Sequence, residues 1–463
     1  MSQVSKKSKS PGMPGLIFEE PLVFEMGSPG RKAYSLPSCD VPEVAIENLL
    51  PPAEIREAID ELPELTELDV VRHYTRLSQW NFNIDTNFYP LGSCTMKYNP
   101  KINETLARLP GFAQHHPMTP DSDSQGSLQL MYELQECLKT ISGMDHASLQ
   151  PAAGAQGEFA GMLMIQAYHS ANGNPRKKVL LPDSAHGTNP ASATLCGYKP
   201  VQLPSNAEGT IDVAKLEAAM DEETAAIMLT NPNTLGMFEK DILKICEIVH
   251  KKGGLVYCDG ANLNAIMGIA KMGDMGIDVL HINLHKTFST PHGGGGPGAG
   301  PVCIKDILEP YLPAPIVEKA GSNYKLNADR PDSVGRLKSF NGNFGMLLRA
   351  YAYIRTLGPE GIREAARSAV LNANYIRAKL KDTFHLPFTG ASLHECVFND
   401  KGQGITTMDF AKALIDHGFH PPTVYFPLIV KGALMIEPTE TESKETLDNF
   451  IESMQSIAKK GQE

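Results

Sequence analysis

Short apolar runs alternate with helical patterns through the middle of the chain, and this alternation constrains the fold more than any other feature. The apolar runs are ASLQ (147–150), KVLLP (178–182), AAIMLT (225–230), GLVYCD (254–259) and VLHINLH (279–285). Helical patterns between them cover residues 158–171, 213–220 and 242–251. Strand–helix alternation predicts an α/β fold, with a mostly parallel sheet covered by helices on both faces. Ligands of such sheets bind at the carboxyl ends of the strands. Motifs begin at or just after these ends, at Pro151, Asp183, Asn231, Asp259 and Lys286.

Two of these motifs together indicate one chemistry. The predicted strand 254–259 ends in Asp259, and the next apolar run ends in HKT, with Lys286 at its centre, ahead of a run of glycines. Pyridoxal phosphate requires a lysine to form a Schiff base and a carboxylate to keep its ring nitrogen protonated. The two residues lie about one strand–connection–strand unit apart, so both can reach one cofactor from neighbouring strand ends. The alternatives are a solvated strand end for Lys286 and a flexible linker for the glycines.

The loop at residues 153–157 is expected to bind the phosphate of this cofactor. It follows a predicted strand and opens a helix, where backbone N–H groups bind phosphate and small residues allow close approach. The same turn is also common without a ligand. The residues assigned to the cofactor on these grounds are Ala155, Gln156 and Gly157 in the loop, Ala261 beneath the ring, and Thr287 and His292 beside the phosphate or the lysine.

The Lys286 segment, NLHKTFSTPHGGGGPGAGP, resembles the cofactor-lysine motif of the glycine decarboxylase P-protein family of the glycine cleavage system. More narrowly, it resembles the second subunit of the split, two-chain form. The resemblance runs from about residue 16 to about residue 458. Its other motifs are YPLGSCTMKYNP (89–100), PAAGAQGEFAG (151–161), DSAHGTNPASA (183–193), LTNPNTLGMFE (229–239), GNFGMLLRAYAYIRTLG (342–358) and MIEPTETES (435–443).

The resemblance implies a fold type I pyridoxal-phosphate enzyme, similar to aspartate aminotransferase, with a smaller C-terminal α/β domain. It implies that glycine is decarboxylated and that the remaining aminomethyl group passes to the lipoyl arm of a small carrier, the H-protein. His186 matches the family position whose ring stacks on the cofactor, and joins Lys286 and Asp259 as a catalytic residue. The resemblance also implies a heteromer with a homologous first subunit that lacks the lysine, with two copies of each chain.

The substrate-binding residues are less well determined by the sequence. The candidates are Asn231 and Thr234 in the TNPNT loop, and Arg336, Arg349 and Lys97 for the substrate carboxylate. A proline-containing turn explains the first two equally well. His281 and His285 have the spacing of metal ligands on a helix, but they fall on a predicted strand, where four residues span about 13 Å, so no metal site is predicted.

Two other functions remain open on the sequence. One is another fold type I aminotransferase or decarboxylase, which would need no carrier. The other is a non-catalytic scaffold subunit that has lost its cofactor, against which the intact pair of Lys286 and Asp259 argues.

Length and charge bound the organisation of the chain. With 463 residues, it is expected to comprise an N-terminal arm with loops (1–125), a large cofactor-binding domain (126–345) and a small C-terminal domain (346–463). Short helices are expected at 47–50 and 53–62, and a long one over 344–381. A net charge of −11 argues against a nucleic-acid surface, and no apolar run is long enough to span a membrane. Eight scattered cysteines and the absence of a signal-like start predict a cytoplasmic protein with reduced thiols.

Overall fold

The computed structural model of the chain describes residues 20–56, 62–292 and 298–462. Its contacts divide the chain into two units, Met1–Asn83 and Ile84–Glu463. Residues 84–125, which the sequence assigns to an N-terminal arm, fall in the second unit. The three-part division of the chain stays a prediction.

The first unit contains little regular structure over its described residues. Its elements are the helices α1 Val23–Met26 and α2 Glu67–Ser78 and the 3-10 turns Ile46–Asn48 and Pro52–Glu54. Thr66 caps α2, since its hydroxyl accepts a hydrogen bond from the Asp69 N–H while the Asp69 carboxylate accepts one from the Thr66 N–H. The prediction of a helix at 47–50 is wrong, because only a single 3-10 turn forms there. The predicted helix at 53–62 is also replaced by a single turn as far as residue 56, and residues 57–61 lie outside the described residues.

A seven-stranded sheet forms the centre of the second unit. Its strands are β1 His146–Ser148, β2 Lys178–Pro182, β3 Lys199–Leu203, β4 Thr224–Thr230, β5 Leu255–Gly260, β6 Val279–Ile282 and β7 Val302–Ile304. They are arranged in the order β1-β7-β6-β5-β4-β2-β3. The pairs from β6 to β3 are all parallel, whereas β7 runs antiparallel to both of its neighbours. The predicted mostly parallel sheet is confirmed, although the sequence analysis missed β3 and β7.

Both faces of this sheet are buried against helices. On β5, Val256 and Cys258 pack into one apolar cluster, and Leu255 and Tyr257 pack into a second. Such alternation is expected of a strand covered on both sides. The helices of the second unit are α3 Lys101–Ala107, α4 Pro110–Ala113, α5 Gln125–Ser142, α6 Gly154–Ala171, α7 Thr188–Leu195, α8 Val213–Ala219, α9 Ile242–Lys251, α10 Leu284–Thr287, α11 Phe344–Leu380, α12 Thr407–Asp416 and α13 Lys444–Gln462. Further 3-10 turns cover Asp121–Asp123, Gly273–Met275 and Asp306–Tyr311.

The chain continues from the sheet through the long helix α11 into a smaller α/β layer. Gly358 interrupts α11 with a φ of 62°, directly before Pro359. The strands β10 Cys396–Asn399, β11 Thr423–Val424 and β12 Ala433–Ile436 form an antiparallel sheet in the order β10-β12-β11. A third apolar cluster joins this sheet to α12 and α13. The remaining strands, β8 Ile316–Ala320 and β9 Asn323–Asn327, form a separate antiparallel pair.

The predicted strand 279–285 needs a correction. Strand β6 ends at Ile282, and the residues after it form the short helix α10. Asn283 lies at its N-cap, and its carbonyl accepts hydrogen bonds from the N–H groups of Lys286 and Thr287. Asparagine is favoured at that position. Leu284 stays fully buried, so the apolar pattern continues past the point where the backbone turns.

Over the residues that the structure describes, no helix has the length and apolarity needed to cross a membrane. All eight cysteines are free thiols.

Candidate active site

A cavity of about 200 Å³ lies beside the carboxyl ends of β4, β5 and β6. The parallel register places Thr230 next to Asp259, and Asp259 next to His281, at this edge of the sheet. Six of the residues predicted from the sequence line the cavity, namely Ala155, His186, Thr234, Asp259, Ala261 and Lys286. Parallel strands therefore bring together residues that lie more than 100 positions apart in the chain.

Lys286 is the cation of this cavity. It lies in α10 and is half-buried, and its amine forms no hydrogen bond or ion pair with the described residues. The helical turn, rather than a strand, therefore carries Lys286 into the cavity. An amine without a carboxylate partner is available for covalent bonding to a carbonyl group.

Asp259 lies at the end of β5, where a backbone N–H and a buried histidine contact its carboxylate. Its Oδ1 accepts a hydrogen bond of 2.9 Å from the Ala261 N–H and lies 3.4 Å from His281 Nε2. His281 is fully buried, and burial lowers its pKa, so its ring is neutral. The Tyr257 hydroxyl is hydrogen-bonded to His281 Nδ1, and burial keeps the pKa of Tyr257 well above its usual value. A tyrosine that donates to Nδ1 leaves the imidazole proton on Nε2, which faces Asp259.

A second carboxyl group, that of Glu158, lies beside Asp259. Burial and the Asp259 carboxylate raise the pKa of Glu158. Thr188 and Ser192 donate hydroxyl hydrogen bonds to it, at 2.7 and 3.2 Å. With its amide nitrogen facing the two acids, Asn189 lies 2.9 Å from Glu158 and 3.2 Å from Asp259. The raised pKa favours the protonated form of Glu158, so this acid adds no second charge beside Asp259.

The start of α6 and several polar atoms without partners fit a phosphate-bearing ligand. The first-turn N–H groups of α6 have no acceptor within the helix, and Gly154 and Ala155 line the cavity there. Thr230 Oγ1, Asn283 Oδ1 and His285 Nδ1 belong to lining residues, are buried, and have no hydrogen-bond partner among the described residues. Buried polar atoms usually have partners, so these atoms mark a polar binding site. Pyridoxal phosphate, which carries both hydrogen-bond donors and acceptors, fits this arrangement of polar groups.

Five other predicted residues do not line the cavity with their side chains. Gln156 accepts from the Ala152 N–H and donates to the Leu337 carbonyl, and Gly157 has no room for a Cβ beside Gly300 and His281. The Thr287 hydroxyl accepts from the Leu263 N–H, and Asn231 accepts from the Glu239 N–H. His292 packs against the His285 ring. These five are Gln156, Gly157, Thr287, Asn231 and His292. Thr234 lines the cavity, but its hydroxyl donates to the Ser184 carbonyl.

The two histidines beside Lys286 are neutral. Burial and His292 lower the pKa of His285 to about 3, and burial and Lys286 lower the pKa of His292 to about 4. His285 lies in α10 and His281 on β6, so the strand spacing assumed for this pair in the sequence analysis does not apply.

The three candidate cations for the substrate carboxylate lie away from the cavity. Lys97 is buried and forms an ion pair of 2.8 Å with Glu440. Arg349 binds Glu104 with two nitrogens, at 2.7 and 2.9 Å. Arg336 is exposed and donates to the Phe340 carbonyl. In this geometry none of the three faces the cavity.

Sequence reasoning did not single out six polar residues that line the cavity, which are Ser93, Thr230, Asn262, Asn283, His394 and Glu395. Thr230 ends the quoted segment 225–230 and Asn262 lies three positions after the segment 254–259, so their positions near strand ends were a usable signal. Asn283 lies inside the quoted segment 279–285, and only the observed end of β6 at Ile282 places it after a strand. Ser93, His394 and Glu395 come from distant parts of the chain and carry no such signal.

Comparison with known proteins identifies the family. The family models described as "Glycine cleavage system P-protein" and "Glycine dehydrogenase, C-terminal domain" match residues 43–326 and 365–463. A protein of Halalkalibacterium halodurans named probable glycine dehydrogenase (decarboxylating) subunit 2 is 57% identical over 449 residues, which cover 96% of this chain and 92% of that protein. A Listeria monocytogenes protein of the same name is 57% identical over 447 residues, with the same coverage.

Solved structures support the same fold. A crystal structure of glycine decarboxylase (P-protein), in inhibitor-bound form, superposes with a TM-score of 0.75 at 23% identity, over 89% of this chain and 95% of that one. The Escherichia coli cysteine desulfurase CsdA superposes with a TM-score of 0.63 at 16% identity, over 81% and 95% of the two chains. The predicted fold type I architecture is confirmed. Given its family-model matches and its 57% identity to full-length relatives, the chain belongs to the glycine cleavage system P-protein family, among the proteins named subunit 2 of glycine dehydrogenase (decarboxylating).

Proposed function

We propose that this protein decarboxylates glycine with pyridoxal phosphate and transfers the remaining aminomethyl group to the lipoyl arm of a carrier, the H-protein. The observation that carries the proposal is that Lys286 and Asp259 line one cavity whose remaining walls offer unpaired polar atoms. The relatives named glycine dehydrogenase (decarboxylating) subunit 2 support glycine as the substrate.

Each part of the cofactor has a residue that suits it. Lys286 would bind it covalently, the first turn of α6 at Gly154 and Ala155 would receive the phosphate, and Asp259 would face the ring nitrogen. Ala261 and His186 line the same cavity and would contact the two faces of the ring. When bound, pyridoxal phosphate accepts the electron pair that remains on the α-carbon after CO₂ leaves.

Asp259 has the central electrostatic role. An ionised carboxylate holds a proton on the ring nitrogen, and that proton makes the ring a better electron acceptor. The Ala261 N–H holds the Asp259 carboxylate in position, with the buried His281 ring beside it. Glu158, whose pKa is raised by burial and by Asp259, stays protonated beside it and adds no second charge.

Lys286 is suited to bind the cofactor and to move protons. Its amine has no ion-pair partner among the described residues, so no carboxylate must be displaced before it reacts. With cofactor and glycine bound, the same amine would stay in the cavity, where it would be placed to exchange protons with the substrate nitrogen and α-carbon.

The partners proposed for the chain follow from its family. The relatives are named subunit 2, which implies a companion subunit. We infer that this companion is homologous, lacks the cofactor lysine, and assembles with the chain as two copies of each. The chain alone is then expected to be inactive or poorly soluble, whereas co-expression should give an active complex. A cytoplasmic location agrees with this assignment.

Exchange of the carboxyl carbon between labelled bicarbonate and glycine tests the activity. The complex with its companion should exchange label, and the lipoyl carrier should accelerate the exchange. If the complex instead transfers amino groups to 2-oxo acids without a carrier, the protein is an aminotransferase. If it binds no cofactor and shows no cofactor absorbance, it is a scaffold subunit.

A further inference from the structure

A second pair of buried acids reaches the cavity from the small sheet. Glu395 directly precedes β10 and Glu437 directly follows β12. Cys396 pairs with Ile436 across these antiparallel strands, so the two glutamates occupy the next position outward. Glu395 is 2% exposed and lines the cavity, and Glu437 is fully buried. One carboxylate oxygen of each lies within 4.8 Å of the other.

The two carboxyl groups have unequal hydrogen bonds. Glu437 accepts three, from the Thr95 N–H at 2.9 Å, the Thr95 hydroxyl at 2.7 Å and the Asn262 amide at 2.8 Å. Glu395 accepts one, from the Ser93 N–H at 2.9 Å. Ser93 and Thr95 have positive φ values of 60° and 51°, an uncommon conformation for residues other than glycine. Glu395, which has a single donor and a second buried carboxyl group beside it, is therefore the member of the pair that carries the proton.

The other groups around Glu395 agree with this assignment. Burial and Glu437 raise the pKa of Glu395 well above its usual value, whereas the Ser93 N–H and Lys286 oppose the shift. Burial raises the pKa of the nearby Cys94 thiol to about 11, so that group is also neutral. His394 Nε2 lies 4.0 Å from Glu395, and burial lowers the pKa of His394. This wall of the cavity is thus built from neutral side chains.

His394 gives an independent sign that a polar ligand belongs at this wall. It lines the cavity and is 2% exposed, yet its Nδ1 has no hydrogen-bond partner among the described residues. A buried ring nitrogen without a partner is costly unless a ligand supplies one.

Among the residues that the structure describes, no second cation lines the cavity to receive a substrate carboxylate. Lys97 and Arg349 are paired with Glu440 and Glu104, and Arg336 is exposed. Of the described residues, Lys286 alone among lysines and arginines lines the cavity, and residues 293–297 are glycines and a proline. Lys286 is committed to the cofactor in the proposed function, so the groups that the described residues offer to the carboxylate are neutral donors.

Building on the proposed function, we propose that Glu395 in its protonated form donates a hydrogen bond to the carboxylate of glycine, and that Glu437 is the positioning residue that keeps the proton on Glu395. The O–H of Glu395 is the donor and the substrate oxygen is the acceptor. A neutral donor binds a carboxylate less strongly than an arginine would. A neutral donor therefore orients the carboxylate but hinders its loss as CO₂ less than an arginine would. This difference favours the transition state over the bound substrate.

The test compares glycine with methylamine, which is glycine without its carboxylate. The cofactor-loaded complex with the companion subunit is titrated with each amine, and binding is followed by the absorbance of the cofactor. Glu395→Leu should weaken the binding of glycine at least about tenfold, the scale of one lost hydrogen bond to a charged group. The affinity for methylamine should change less than about twofold. Equal losses for both amines, or no loss for either, would overturn the proposal.

The pH dependence separates this role from a structural one. The neutral form of Glu395 exists below its folded-state pKa, so the preference of the wild type for glycine over methylamine should fall as pH rises through that pKa. In Glu437→Gln this fall should begin at lower pH, because the charge that holds the proton is gone. In Glu395→Gln, which keeps a neutral donor, the preference should not vary with pH. Persistence of the wild-type dependence in Glu395→Gln contradicts the proposal.

A matched control is Glu442→Gln. Burial also raises the pKa of Glu442, to about 7, but this residue does not line the cavity. Glu442→Gln should retain the wild-type preference and its pH dependence.

If the wild-type complex shows no absorbance change with glycine at all, the proposed function itself fails. If it responds to glycine and the Glu395 variants match it, only the role of Glu395 fails.

Discussion

Lys97 and Lys286 both lie outside the strands of this chain, yet their surroundings differ completely. The Lys97 ammonium is fully buried, 2.8 Å from Glu440 and 2.9 Å from the Thr287 carbonyl. Burial alone would lower the pKa of Lys97, but Glu440 and Tyr353 raise it above its usual value. The Lys286 amine faces a cavity and has no such partner among the described residues. The presence of a buried carboxylate partner therefore separates a structural lysine from a reactive one.

The two lysines are also connected. Lys97 donates to the carbonyl of Thr287, the residue after Lys286. The Thr287 hydroxyl in turn accepts from the Leu263 N–H, close to Asp259 in the chain. The structural lysine thus fixes the helical turn that presents the reactive one.

The largest effect is expected for Lys286→Ala, which removes the reactive lysine of the two. Turnover should fall by at least ~10²–10⁴-fold, the range for losing an acid–base group, because the covalent attachment is lost as well. Stability should change little, since the amine has no partner among the described residues. Bicarbonate–glycine exchange and urea unfolding measure the two quantities. Near-normal exchange would remove Lys286 from the mechanism.

On the structural side, Lys97→Met should reduce the free energy of unfolding by about 3–5 kcal/mol, because it leaves Glu440 buried without its partner. The double variant Lys97→Met/Glu440→Gln should recover most of this loss, since no charge is then left unpaired. Urea unfolding of the single and double variants gives both numbers. If the single variant is as stable as the wild type, the ion pair is not structural.

A smaller effect is expected for Asp259→Asn, which keeps Lys286 but changes the electrostatics around it. The amide cannot hold a proton on the ring nitrogen, so the exchange rate should fall about 10- to 100-fold, or about 1.4–2.7 kcal/mol of barrier. Cofactor absorbance should persist, because Lys286 is intact. A rate within about threefold of the wild type would show that Asp259 has no such role.

The smallest effects are expected for the two arginines outside the cavity. Arg349→Gln breaks the pair with Glu104 and should cost about 1 kcal/mol of stability, as for other partly exposed ion pairs. Arg336→Ala removes an exposed side chain and should change stability by less than about 0.5 kcal/mol. Glycine affinity should be retained in both variants. A large loss of affinity in either one would place a cation at the substrate carboxylate after all.

Local patterns predicted much of the fold. Strand β2 and helix α9 have the bounds that the sequence indicated, because β2 is a short continuous buried run and α9 buries one apolar face at helical spacing. The end of β6 was misjudged, because Leu284 is as buried in a helical turn as it would be in a strand. The apolar pattern shows which residues are buried but not the backbone conformation. At this position the hydrogen bonds to the Asn283 carbonyl make the backbone helical.

The site was predictable only where its residues follow strand ends. Asp259 and Lys286 do, and both reach the cavity. The roles of Lys97 and Glu395 depend on residues that are distant in the chain. Lys97 is paired with Glu440. Glu395 lies beside Glu437, which in turn accepts a hydrogen bond from Thr95, 342 positions before it. Its positive charge alone made Lys97 a candidate for substrate binding. The ion pair with Glu440, which the sequence does not reveal, indicates a structural role instead.

Reductive trapping of the cofactor distinguishes the two lysines most directly. The cofactor-loaded complex is treated with borohydride, which makes the bond between cofactor and lysine permanent, and the modified peptide is then sequenced by mass spectrometry. The account predicts that the label lies on Lys286 and that the peptide containing Lys97 is unmodified. Label on Lys97, or on any lysine other than Lys286, would contradict it.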